Sequence, residues 1–262
     1  MLVHKIDRAG VTLHATEQGA GRDVVLVHAL GLDHHVWDEM IAHMPDNIRI
    51  IRADMRGHGQ SDVPDGPYSM GALIADLEAI CVALNVKDAI VVGLSIGGMI
   101  AQGLAVKRLD LVRGLVLSNT AAKIAQPSVW RKRIEAIQDN GLGDIADDTI
   151  QRWFSKDFLR DGDVAHWRNQ IMQTNVTGYA ACCAAIAGTD FFTPTSSLRL
   201  PTLGIAGSED GSTPPDLVRE TINLIPGSRF ELMRRVGHLP CVEKPAEVAA
   251  LLTEFLTDTG HI

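Results

Sequence analysis

Four segments in the first half of the chain share one pattern of apolar and polar positions. DVVLVHAL (Asp23 to Leu30), IRIIRADM (Ile48 to Met55), DAIVVGLS (Asp88 to Ser95) and RGLVLSNT (Arg113 to Thr120) each hold a short β-branched run that ends in turn-formers or polar residues. None of these runs alternates in and out, which predicts strands buried on both faces of a parallel sheet. Between them, Met70 to Leu84 places Leu73, Ile74, Leu77, Ile80, Cys81 and Leu84 at helical spacing. Strands alternating with helices predict βαβ units and a doubly wound, mostly parallel sheet. Two earlier runs, Val3 to Ile6 and Thr12 to Thr16, predict an antiparallel hairpin at the sheet edge.

The pattern then changes. From Ala122 to Gly188 the chain reads as helices only and holds Trp130, Trp153 and Trp167. Strands return at LPTLGIAG (Leu200 to Gly207) and SRFELM (Ser228 to Met233), and PAEVAALLTEFLTD closes the pattern with an amphipathic helix. The expected organisation is a core of residues 1–121 and 189–262 with a helical cap, residues 122–188, inserted after the sixth strand. Such a cap roofs the crevice at the carboxyl ends of the strands.

Composition narrows the function classes. The 262 residues are 46% apolar and 21% charged, as in an ordinary globular protein able to bury a sizeable core. No apolar stretch reaches the roughly 18 residues a membrane span needs. A net charge of −8 without a basic block argues against nucleic acid and anionic membrane surfaces, and an acidic small molecule would need a local cation. MLVHKIDRAG has no apolar core of the kind a secretory signal carries, so a cytoplasmic location is expected. Cys81, Cys182, Cys183 and Cys241 show neither zinc spacing nor a disulfide framework and are read as buried thiols.

The chemistry enters at AIVVGLSIGGMIAQGLA, Ala89 to Ala105, where two good core segments are interrupted by Gly93, Ser95, Gly97 and Gly98. G-x-S-x-G between a strand and a helix resembles the nucleophile elbow of the α/β-hydrolase fold, a strained turn that holds a serine hydroxyl out above a helix N-terminus. Serine needs a base, and the base needs an orienting acid. Downstream, LGIAGSEDGSTP offers Glu209 and Asp210 beyond a late strand, and RRVGHLPCVEKP offers His238 beyond the last one. The spacing after the strand and the following Gly211 favour Asp210, leaving Glu209 to face solvent. The expected catalytic set is therefore Ser95, Asp210 and His238. The oxyanion amides are expected from Ile96 and from Leu30 in VHALGLDHHVW, where position 29 is Ala instead of the usual Gly; His28 is read as bracing that loop.

The likeness extends further. ADMRGHGQSD (Ala53 to Asp62) resembles the loop-organising D-x-R-G-x-G-x-S segment of many α/β-hydrolases. GLSIGGMIAQGLA, LVLSNTAAKI, VWRKRI, RWFSKDF, GYAACCAAI, TLGIAGSEDGSTPP and GHLPCVEKP together resemble the 3-oxoadipate enol-lactonases of bacterial aromatic catabolism. That resemblance covers nearly the whole chain, with HALGL standing where the family often has Ser-Asn-Ser-Leu-Gly. It implies a small acidic lactone as substrate, an acyl-enzyme on Ser95, and no metal or organic cofactor. The substrate's carboxylate would meet a cation in the cap. Arg133, one helical turn from Trp130 in VWRKRI, is the expected partner, with Trp130 and Trp153 as pocket walls. The alternatives are another small-ester hydrolase or cofactor-free haloperoxidase of the same fold, and a slow-turnover ligand receptor. A haloalkane dehalogenase would need an aspartate where Ser95 stands.

Overall fold

The computed structural model describes residues 1–262. One eight-stranded sheet runs through it in the order β1-β2-β4-β3-β5-β6-β7-β8. β1 (Leu2–Arg8) and β2 (Val11–Gly19) form the antiparallel edge hairpin, and β2 joins β4 (Ile48–Ala53) antiparallel. From there β3 (Arg22–Val27), β5 (Ala89–Leu94), β6 (Val112–Ser118), β7 (Thr202–Gly207) and β8 (Arg229–Met233) pair in parallel. Every residue of β5 and β7 is buried, as their continuous apolar runs predict, whereas β8 at the far edge is largely half-exposed.

The short α1 (Asp38–Ile41) precedes β4, and α2 (Met70–Ala83) and α3 (Ile96–Lys107) supply the first crossovers. After β6 the chain leaves the sheet for five consecutive helices: α4 (Pro127–Asn140), α5 (Gly143–Trp153), α6 (Lys156–Asp161), α7 (Val164–Gln173) and α8 (Val176–Ala187). This is the insertion expected after the sixth strand. α9 (Phe192–Ser196), α10 (Pro215–Ile222), α11 (Pro240–Glu243) and α12 (Pro245–Asp258) complete the chain. No helix is long and apolar enough to cross a membrane.

The predicted strand Asp23 to Leu30 ends three residues early, at Val27. His28 and the residues after it curl into a loop over the carboxyl end of the sheet, where β5 also ends. That crowding at one sheet end positions the site.

Candidate active site

Ser95 joins β5 to α3 at φ 58° and ψ −121°, a left-handed conformation that costs a non-glycine residue about 1–3 kcal/mol. Hydrogen bonds hold it there: Ser95 N–H donates to Ser118 O at 3.0 Å, and Thr120 Oγ1 donates to Ser95 O at 2.6 Å. The flanking glycines have a steric cause. A Cβ on Gly93 would stand 2.3 Å from Gly97 O, and one on Gly97 would stand 2.2 Å from Val27 O. Any side chain at either position forces the turn away from the sheet.

Asp210 lies just beyond β7, buried, with both oxygens engaged. Oδ1 accepts the Ser212 and Thr213 backbone N–H at 2.7 and 3.0 Å. Oδ2 accepts from Asn119 Nδ2, Thr213 Oγ1 and His238 Nδ1, each at 2.8 Å. Burial raises the carboxyl pKa, but the His238 charge and these hydrogen bonds outweigh it and hold the group below the ordinary aspartate value. An ionised Asp210 keeps the proton on His238 Nδ1 and leaves Nε2 as a base. His238 and Ser95 line the same cavity, with no hydrogen bond between them. Glu209 does not simply face solvent: it is half-buried and accepts Lys156 N–H at 2.9 Å, where α6 begins. Neither Asn119 nor Thr213 carries a motif that would have announced its place on the acid.

Ile96 N–H opens α3 and so has no partner within the helix. Leu30 lines the cavity, and its N–H is engaged with no other group of the chain. Ala29 needs no special backbone angle; the left-handed residue of the loop is Gly31, at φ 79°. Gly31 N–H donates to His58 Nε2 at 3.0 Å, Met55 N–H donates to His28 Nε2 at 3.0 Å, and His28 Nδ1 donates to Ala29 O at 2.8 Å. Burial lowers the pKa of both histidines, that of His58 to about 3, so both stay neutral and can accept these amides. Below them Asp54 accepts His14 Nδ1, His34 Nδ1, and the His34 and Gln60 backbone N–H. Its oxygens are saturated by donors, a pattern that ties loops together and leaves no lone pairs for a metal ion.

The cavity between these loops and the helices above holds about 110 Å³. A larger surface hollow of about 450 Å³ lies beside Ser155 and Lys244 but contains none of Ser95, Asp210 and His238. Trp130, Trp153 and Arg133 all line the smaller cavity, as do Arg152 and Tyr179. Trp130 is half-buried and donates its indole N–H to Ile124 O at 2.6 Å. Trp153 has two contacts with His238: its ring lies 6.1 Å from the His238 ring at 25°, and its carbonyl accepts His238 N–H at 2.6 Å. Arg133 donates from Nε and Nη2 to Tyr179 Oη at 3.0 and 2.6 Å and from Nη2 to Thr149 Oγ1 at 2.6 Å. All its partners are neutral. Sequence reasoning missed Arg152 and Tyr179, although both stand inside quoted motifs, RWFSKDF and GYAACCAAI.

Comparison with known proteins agrees with this architecture. Residues 24–245 match the family model described as alpha/beta hydrolase fold. The chain is 32% identical over 261 residues to 3-oxoadipate enol-lactonase 1 of Acinetobacter baylyi, covering 97% of each sequence. The crystal structure of the enol-lactonase from Burkholderia xenovorans LB400 superposes with a TM-score of 0.93 at 30% identity, over 97% of this chain and 100% of that one. A thermophilic esterase from Thermogutta terrifontis, solved with malate bound, gives a TM-score of 0.92 at 30% identity over 99% of both chains.

Proposed function

The chain belongs to the α/β-hydrolase family and is an ester hydrolase, and from that premise we propose that it opens 3-oxoadipate enol-lactone to 3-oxoadipate in the β-ketoadipate route of aromatic degradation. The observation that carries the reading is a single small cavity in which Ser95 and His238 meet a guanidinium, Arg133, that no carboxylate neutralises.

In this reading Ser95 Oγ attacks the lactone carbonyl carbon while His238 Nε2 takes its proton. The tetrahedral oxyanion receives the Ile96 and Leu30 N–H groups. Cleavage of the ring C–O bond expels an enolate, a better leaving group than an alkoxide, which recovers the proton from His238. The enol stays tethered to the acyl group, and its conversion to the ketone removes the nucleophile that would reclose the ring. Water, deprotonated by His238, then attacks the acyl carbonyl. Ser95 departs with that proton, and the new carboxylic acid gives its own proton to solvent and leaves as a second carboxylate.

Arg133 faces the acetate arm of the lactone, and Trp130 and Trp153 flank the ring. The organisation that goes with this proposal is a core of residues 1–121 and 189–262 and a cap of residues 122–188. The four unpaired, buried thiols suit a reducing cytoplasm.

Freshly generated enol lactone should be turned over many times by the protein, and Ser95→Ala should slow that reaction by about 10⁴-fold or more. Rapid hydrolysis of 4-nitrophenyl acetate with no lactone turnover would instead assign a general small-ester hydrolase. The malate in the Thermogutta esterase keeps that second reading in view, since malate is itself a small carboxylate.

A further inference from the structure

Glu243 is a half-buried carboxylate to which the reaction gives no task. It closes α11, a short way beyond His238, and makes no ion pair; Lys244 beside it is paired with Glu247, and Arg235 with Asp157. Its oxygens go to the main chain instead. Oε1 accepts Gly237 N–H at 2.8 Å and Ser155 N–H at 3.3 Å, and Oε2 accepts Ser155 N–H at 3.3 Å and the Ser155 hydroxyl. Gly237 stands directly before His238, and Ser155 is the N-cap of α6.

The arrangement meets a definite need. Residues 153–155 and 237–238 lie side by side and share one direct bond, His238 N–H to Trp153 O at 2.6 Å. At the neighbouring contact both segments present donors, Gly237 N–H and Ser155 N–H, and two donors cannot satisfy each other. A carboxylate accepts both. Gly237 has no slack: a Cβ there would stand 2.2 Å from Trp153 O and 2.9 Å from Glu243 Oε1, and its carbonyl accepts Asn119 Nδ2 at 3.2 Å. The Glu243 main chain is tied to the same loop, its N–H donating to Leu239 O at 3.0 Å.

We propose that Glu243 is the positioning residue for His238: it fixes the main chain at Gly237 so that the imidazole meets Ser95, and it joins that loop to the start of α6. The inference rests on His238 as the base of the proposed function and goes beyond it by naming what places that base. Glu243 acts without touching substrate, since it borders the larger surface hollow and not the cavity that holds Ser95. Burial raises its pKa above the ordinary glutamate value, and the Ser155 and Gly237 hydrogen bonds work against that rise. Glutamine keeps the size but offers one acceptor oxygen, and its amide turns an N–H toward one of the donors.

Glu243→Gln should lower kcat about tenfold or more on 4-nitrophenyl acetate and enol lactone alike, with KM within about twofold of the wild type. Repeating the substitution in His238→Ala separates positioning from a merely structural role. There the residual rate should agree within about twofold whether position 243 holds Glu or Gln, because a positioning effect ends with the group that is positioned. Ser155→Ala removes one donor and leaves the Gly237 bond, and should cost about threefold in kcat, again only while His238 is present. That second variant keeps the inference exposed if Glu243→Gln does not fold. A folded Glu243→Gln with kcat within about twofold of the wild type, or an equal loss with and without His238, would overturn the inference. Hydrolysis of 4-nitrophenyl acetate without lactone turnover, with the His238-dependent loss intact, removes the lactone reading and leaves the inference standing. Lactone turnover that needs His238 yet ignores Glu243→Gln does the reverse.

Discussion

The loops at the carboxyl end of the sheet and the five helices above them solve opposite problems. Around Ser95, Asp210 and His238 nearly every polar group is matched: Asp210 accepts five hydrogen bonds, and the elbow leaves no room for a side chain at Gly97, where a Cβ would stand 2.2 Å from Val27 O. The main chain sets that geometry. In the cap the decisive groups are side chains, and two of them, Arg133 and Arg152, bond only neutral oxygens and make no ion pair. The difference teaches where chemistry and selection are stored. A filled hydrogen-bond network fixes atoms in advance of reaction, while an unneutralised charge waits for a partner.

The largest expected effect breaks the core side of this contrast. Gly93→Ala must move backbone atoms, so it should destabilise the fold by about 3 kcal/mol or more and abolish charged-ester and neutral-ester hydrolysis alike, as read by thermal melting and both assays. If the variant melts and works like the wild type, the elbow is not governed by its main chain. Next in size, Arg133→Ala should raise KM for the enol lactone about tenfold or more and leave 4-nitrophenyl acetate nearly untouched. Equal effects on the two substrates would remove Arg133 from selection.

The smallest effect sharpens the comparison, because it concerns a core group that titrates without reacting. His58 has a folded pKa of about 3 against an ordinary 6.5, so the unfolded chain binds the proton more tightly. Its contribution is present above pH 6.5 and is lost as pH falls toward 3. Glutamine accepts the Gly31 N–H without titrating. Relative to His58→Gln, the wild type should therefore lose about 2 kcal/mol of unfolding free energy between pH 7 and pH 5. Parallel pH profiles in denaturant titrations would show that the imidazole gains a proton freely in the folded state.

Much of the core was legible because its signals are local. G-x-S-x-G between an apolar run and a helix needs no distant information, and Asp210 and His238 follow the short late segments LPTLGIAG and SRFELM, which read as strands. The cap resisted such reading. Arg131, Lys132, Arg133, Arg152, Arg160 and Arg168 are all cations on helices, and only packing separates Arg160, paired with Asp161, from Arg152, which donates to the Asp148 carbonyl and makes no ion pair. Spacing put Arg133 beside Trp130 but was silent on Tyr179, which arrives from a helix 46 residues away. Glu209 was misjudged for a related reason: the first amide of α6 comes to it across 53 residues. Alanine at position 29 looked like a departure only because the residue with the left-handed angle, Gly31, lies two places on.

His238 N–H is bonded to the Trp153 carbonyl, and three neighbours repeat the theme: Gly211 N–H meets Arg152 O, Lys156 N–H meets Glu209, and Ser155 meets Glu243 through its N–H and its hydroxyl. The stretch 152–156 is thus riveted to the machinery that it overhangs. Anyone grafting a foreign lid onto this scaffold inherits that seam: side chains facing the cavity are free to be exchanged, but a transplant that reroutes those five residues takes His238 out of alignment along with the old roof.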